Sequence, residues 1–146
     1  MLDSRWTLLP ARLVIGAGFL AHGLAKWNRG PAKFALLLGK LGVPLPTSAA
    51  WATTFVELLG GVALILGLFV ALACIPLVLT MLVAMFTIHV HYGFSAVNTI
   101  GIGTAGPLFG PPGYEINLLY ISFLAALALS KPTALSLDAV RDATRA

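Results

Sequence analysis

Charge is what this chain has least of. Only 10% of its 146 residues are Asp, Glu, Lys or Arg, against about 25% in a soluble domain. With 59% apolar residues and a strongly positive mean hydropathy, that shortage excludes a soluble globular domain and implies a membrane protein. There is one cysteine, Cys74, inside an apolar run. A single thiol excludes an internal disulfide and a self-contained dithiol redox pair. The net charge of +4 is spread over the termini and one loop. No basic cluster is interleaved with aromatics, so nucleic acid is not an expected partner. The lipid bilayer is.

A membrane span needs about 20 mostly apolar residues. The first candidate runs from Leu8 to Trp27. The tract from Ala49 to Val90 carries no charge between Glu57 and His89. As one helix it would be about 60 Å long, twice the hydrocarbon core, so it must fold back once. Gly67 begins the best break, and Pro76 suits the early turns of the next helix. A last run, from about Tyr114 to Ser130, is ended by Lys131-Pro132. The expected fold class is all-α, with residues 1–146 as a single membrane domain. Four transmembrane helices, about 8–27, 49–69, 71–90 and 114–130, form a bundle with both termini on one side. The first segment is not read as a cleavable signal, because Arg12 lies inside it and no convincing small-residue cleavage site follows.

Two connecting segments are unusual. In PAKFALLLGKLG (31–42), Phe34, Leu37, Leu38 and Leu41 share one face, and Lys33 and Lys40 share the adjacent one. That pattern predicts a short helix lying in the interface between the first and second spans. The stretch 91–113 has no Asp, Glu, Lys or Arg, six glycines and three prolines. It cannot be a regular helix and is too apolar for an ordinary aqueous loop. A structured cap or re-entrant loop packed on the bundle is expected. Its Gly101-Ile-Gly103-Thr-Ala-Gly106 matches G-x-G-x-x-G. Dinucleotide binding would need that motif inside a βαβ unit, which this chain does not offer.

Orientation is weakly encoded. Arg5, Lys131, Arg141 and Arg145 fall on the terminal side, and Arg29, Lys33 and Lys40 on the other. The positive-inside rule leans toward cytoplasmic termini.

The ionisable residues inside the apolar runs are the candidate site. The hairpin topology puts His22 and Lys26 at the far end of the first span and Glu57 in the first half of the second. His89 and His91 end the third, and Glu115 opens the fourth. All then fall in the half-bilayer next to the two long loops. Residues at i and i+4 share a helix face, so His22 and Lys26 point the same way. Arg12 lies within about 80° of that direction, at 100° per residue. Each charged residue at a helix centre costs roughly 2.5–3.5 kcal/mol on insertion scales, so these groups should face one another. Gly60 and Gly61, one turn beyond Glu57, would admit a close neighbour.

Plainer readings exist. Lys26 could snorkel to the interface, Arg12 could anchor orientation, and His91 could be interfacial. Met81 and Met85 could simply pack. Glu57 resists dismissal, because it is short and the 31 residues from 58 to 88 carry no charge. A haem between His22 and His89 is not demanded by the spacing. Nor is a metal on His22, Glu57, His89 and Glu115. No haem, metal or nucleotide is expected.

These residues resemble the DoxX family of small four-helix membrane proteins. The matching features are Arg12, His22-Gly23 with Lys26, Glu57 followed by Gly60-Gly61, and Leu66-Gly67 at the turn. They continue with His89, Gly113-Tyr114-Glu115 and the ending Leu135-Ser136-Leu137-Asp138. The family is widespread in bacteria and archaea, so the resemblance implies a prokaryotic cytoplasmic (inner) membrane. Relatives are linked to a thiosulfate:quinone oxidoreductase, to oxidative-stress and thiol-homeostasis complexes, and to quinone or catechol resistance. The resemblance therefore implies quinone-linked redox chemistry with membrane or membrane-associated redox partners.

Three functions follow for comparison. The first is a membrane subunit whose polar pocket, built from His22, Lys26, Glu57, His89, Glu115 and Arg12, binds a quinone or related small redox substrate. Catalytic residues within that set are not assigned, and the chain encodes no electron carrier. The second is a non-catalytic accessory subunit of a larger membrane complex. The third is a solute or proton pathway, disfavoured because Arg12 alone extends the polar groups past mid-membrane.

Overall fold

The computed structural model describes residues 4–144. A short opening turn, α1 (Ser4–Thr7), leads into α2 (Leu9–Arg29). Pro10 sits in the first turn of α2, where the missing N–H costs nothing. Gly30 ends the helix at φ 89°, and Pro31 starts α3 (Pro31–Lys40). α4 (Pro46–Leu66) again opens on proline. It closes on Gly67, in the left-handed region at φ 65°. α5 (Val70–Thr87) follows, then a 3₁₀ turn over His89–Tyr92. A two-stranded antiparallel sheet, β1 (Thr99–Gly103) and β2 (Gly106–Phe109), precedes α6 (Glu115–Leu129) and α7 (Leu137–Ala143).

The helices lie close to where the apolar runs place them, including the fold-back at Gly67. α2, α4 and α5 are long and apolar enough to cross a membrane; α6, at 15 residues, is shorter. The segment 31–42 holds a helix as expected. The segment 91–113 contains no α-helix, as expected. It forms a hairpin with Gly103 paired to Gly106 across Thr104-Ala105. The G-x-G-x-x-G run lies on this hairpin, with no helix opening after its last glycine.

What brings the polar residues together is the contact between α2 and α4. A Cβ on Gly61 would lie 2.6 Å from the Leu20 nitrogen and 2.8 Å from the Gly16 carbonyl oxygen. A Cβ on Gly23 would lie 2.8 Å from the Leu58 nitrogen. The two backbones therefore touch, as small residues allow in membrane bundles. Phe19, Leu64, Leu77, Met81 and Leu124 fill the core between α2, α4, α5 and α6. Ala35, Leu38 and Ala50 hold α3 against the start of α4. Outward-facing Leu59, Leu72, Ile75, Phe86 and Leu119 are exposed, as lipid-facing side chains are.

Candidate functional site

Glu57 faces inward from α4 with its side chain 2% exposed, and Lys26 of α2 reaches it to form an ion pair. The pair exists because the α2–α4 contact at Gly16, Gly23 and Gly61 leaves less than a side chain's width between the helices. Removing one partner of such a buried pair would strand a charge at several kcal/mol. The ammonium also lies 5.1 Å from the centroid of the Phe34 ring on α3. One turn back on α2, His22 stacks on Tyr120 of α6 at 6.5 Å between centroids.

These groups open onto one cavity of about 540 Å³. Its polar lining includes His22, Lys26, Glu57, His89, Asn117 and Tyr120, with Thr53, Thr80 and Thr87 among otherwise apolar walls. His89 follows the end of α5, and its Nδ1 lies 2.8 Å from the Pro112 carbonyl oxygen. A carbonyl only accepts, so Nδ1 carries the proton and donates. When the ring is neutral, Nε2 is then the acceptor. Asn117 is fixed by the same logic. Its Nδ2 donates to the Met81 carbonyl at 3.3 Å, which leaves Oδ1 as an acceptor with no partner among the described residues.

Two of the six expected pocket residues lie elsewhere. Arg12 is ten residues from His22 along α2, roughly 15 Å of helix rise. Its buried guanidinium donates to Thr133 Oγ1 at 2.6 Å and to the Leu135 carbonyl at 2.7 Å. It ties α2 to the C-terminal segment rather than lining the cavity. Angular proximity on a helical wheel did not outweigh axial distance. Glu115 is at the mouth of α6, but Oε2 accepts from the Ala96 nitrogen at 2.7 Å and stabilises the loop. The carboxylate is captured by backbone before it can reach the cavity.

Asn117 and Tyr120 escaped the sequence reading, which looked for ionisable groups. Their i, i+3 spacing on an apolar helix is the signal that could have found them. Asp138 was also missed as a structural group. Its carboxylate accepts from the Phe69 and Val70 nitrogens, both at 3.0 Å. This caps α5 from the far end of the chain, as anions do at helix N-termini.

With a donor at Lys26 and an acceptor at His89 Nε2 in its neutral form, the cavity can bind a small, mostly apolar molecule that has polar atoms on its ring. Among the described residues no group of three or more His, Cys, Asp or Glu is placed to hold a metal ion. No curated protein and no solved structure matches the chain. The DoxX family model matches residues 7–90, which includes α2, α4, α5 and seven of the nine polar residues named in the cavity lining. A multi-pass helical membrane protein with this match over more than half its length belongs to the DoxX family.

Proposed function

We propose that this chain is the membrane subunit of a quinone-linked redox system, and that the cavity binds the head of a quinone or a related small redox substrate. The observation that carries the reading is the ion pair of Lys26 and Glu57 opening, with His22 and His89, onto a 540 Å³ cavity with mostly apolar walls. Structural charges could be locked together without enclosing space.

The donor set fits such a head. Its ring would lie against apolar wall residues beside the stacked His22 and Tyr120. Lys26 is placed to stabilise negative charge on one ring oxygen. His89 Nε2 can accept a proton from a ring hydroxyl, and His22 can donate or accept at the other side. Glu57, hydrogen-bonded to Lys26, is the carboxylate through which a proton would exchange with the ammonium. The bound group would supply two-electron chemistry, and the electrons would pass to or from a partner redox protein.

In this reading α2, α4, α5 and α6 are four spans in the prokaryotic inner membrane, with both termini cytoplasmic. The cavity then lies in the half-bilayer on the hairpin side. Trp27, Trp51 and Phe55 cluster at that end, with ring centroids 5.8–6.0 Å apart, as an interfacial aromatic belt would. α6 is about 22 Å long at 1.5 Å per residue, short for a span, and would be met by local thinning of the bilayer. α3 would lie in the interface and roof the cavity with Phe34 and Leu38.

Mild extraction of the full-length protein, followed by solvent extraction and mass spectrometry, tests this directly. A quinone recovered in near-stoichiometric amount, and lost in His22→Leu, supports it. Protein free of quinone that also binds none when titrated would contradict it. That outcome favours the accessory-subunit reading.

A further inference from the structure

We infer that the cavity opens sideways into the bilayer through a cleft between α4 and α5, so that its ligand is a lipid-dissolved molecule whose apolar tail lies in that cleft. This rests on the cavity being the binding site.

Two helix faces look at each other across the cavity. On α4 the lining residues include Ala49, Ala52, Thr53 and Val56, and on α5 they include Thr80, Val83, Ala84 and Thr87. Both sets follow the i, i+3, i+4, i+7 spacing of a single helix face. Antiparallel neighbours joined by a three-residue turn would be expected to close along that whole face. They close only near the turn, where a Cβ on Gly60 would lie 2.9 Å from Leu77. Farther from the turn the same faces line open space.

Pro76 stands at that point of divergence. It has no N–H for the Leu72 carbonyl, so α5 lacks one helical bond there. Proline inside a helix is also the commonest cause of a bend.

The rim is apolar. Ala52, Leu79 and Val83 line the cavity and are exposed at the same time, which places them at its mouth. Their neighbours on the outer faces, Phe55, Leu72, Ile75 and Phe86, are exposed and apolar as well. A mouth set among such residues opens to lipid, not to water. The polar groups lie behind it. A head can therefore reach Lys26, Glu57 and His89 while a chain attached to it remains among Ala52, Leu79 and Val83. A molecule with a polar head and an isoprenoid or acyl tail matches both halves of this lining. A water-soluble substrate matches only the inner half.

The test uses full-length protein in phospholipid nanodiscs containing a phosphatidylcholine with a diazirine on one acyl chain. After photolysis, adducts are mapped by peptide mass spectrometry. Adducts at the inward positions Val56, Thr80 and Ala84, besides the outward Leu59, Leu72 and Phe86, are expected. In Ala52→Trp/Val83→Trp the inward adducts should disappear and the outward ones persist. Leu79→Trp serves as a second block at the same rim. Outward adducts alone in the unmodified protein would overturn the inference, as would inward adducts that survive both blocks.

A titration then addresses the ligand class. A naphthoquinone carrying an isoprenoid tail should bind the blocked double variant about tenfold more weakly, a change of about 1.4 kcal/mol. The same head without a tail should be unaffected. Equal losses for both would overturn the tail assignment. If the lipid label enters the cleft but no quinone binds, the quinone reading fails and the lateral opening stands.

Discussion

Lys26 on α2 and Glu57 on α4 form an ion pair whose carboxylate is almost wholly buried and whose ammonium keeps a 20% exposed side chain. The asymmetry is informative. The glutamate is the more enclosed of the two, and both line the cavity. A charge pair held only for stability would be expected to close over both ends.

Breaking this pair from one side should be costly. Glu57→Gln leaves a buried ammonium without its counter-charge. By analogy with soluble proteins the loss is about 3–5 kcal/mol. Thermal stability in detergent should fall accordingly, and combining Glu57→Gln with Lys26→Met should restore much of it. A double variant less stable than either single variant would show that the two charges do not compensate each other.

At the opposite end, Arg12 should behave as a clamp and not as a site residue. Arg12→Leu removes the hydrogen bonds to Thr133 and Leu135 and leaves the buried Thr133 hydroxyl without its donor, at about 1–3 kcal/mol. The C-terminal segment should then become sensitive to trypsin at Lys131 and Arg141. Quinone affinity should change less than about threefold, under about 0.7 kcal/mol. A larger loss of binding with an intact C-terminal segment would return Arg12 to the site.

The contrast between Arg12 and Lys26 also shows what was legible in the sequence. Apolar runs fixed the helices within a few residues, and Gly67 marked the fold-back because a left-handed end favours glycine. The pairing of Glu57 with a cation followed from the cost of a lone charge in lipid. Placement along the helix axis was harder. A wheel projection put Arg12 near His22, and only the packed C-terminal segment shows where its guanidinium goes. Glu115 was likewise in the right place along α6 but had the wrong partner, a loop nitrogen that no spacing reveals. The hairpin was harder to read because its strands are short and glycine-rich, so the alternation of Ile100 and Ile102 with Gly101 and Gly103 is too brief to stand out. Asn117 and Tyr120 are uncharged, so the cost argument that found Glu57 passed over them.

Topology has its own test. Single cysteines introduced at Ser4 and Thr144, in a Cys74→Ala background, should react with a membrane-impermeant maleimide from the cytoplasmic side. One at Thr104, in the turn of the hairpin, should react only from the other side. Labelling of the two terminal positions from opposite faces would contradict four spans.

The central claim is that the cavity binds a ligand through side chains that the fold does not need. His22 is the best position to ask this, because it lines the cavity without a charge partner to strand. His22→Leu keeps similar volume and removes the ring that stacks on Tyr120. The direct measurement is quinone affinity of this variant beside its melting temperature, in the same detergent preparation. Stability should be unchanged or slightly raised, with binding weakened about tenfold or more, at least about 1.4 kcal/mol. Unchanged binding in a folded His22→Leu protein would contradict it.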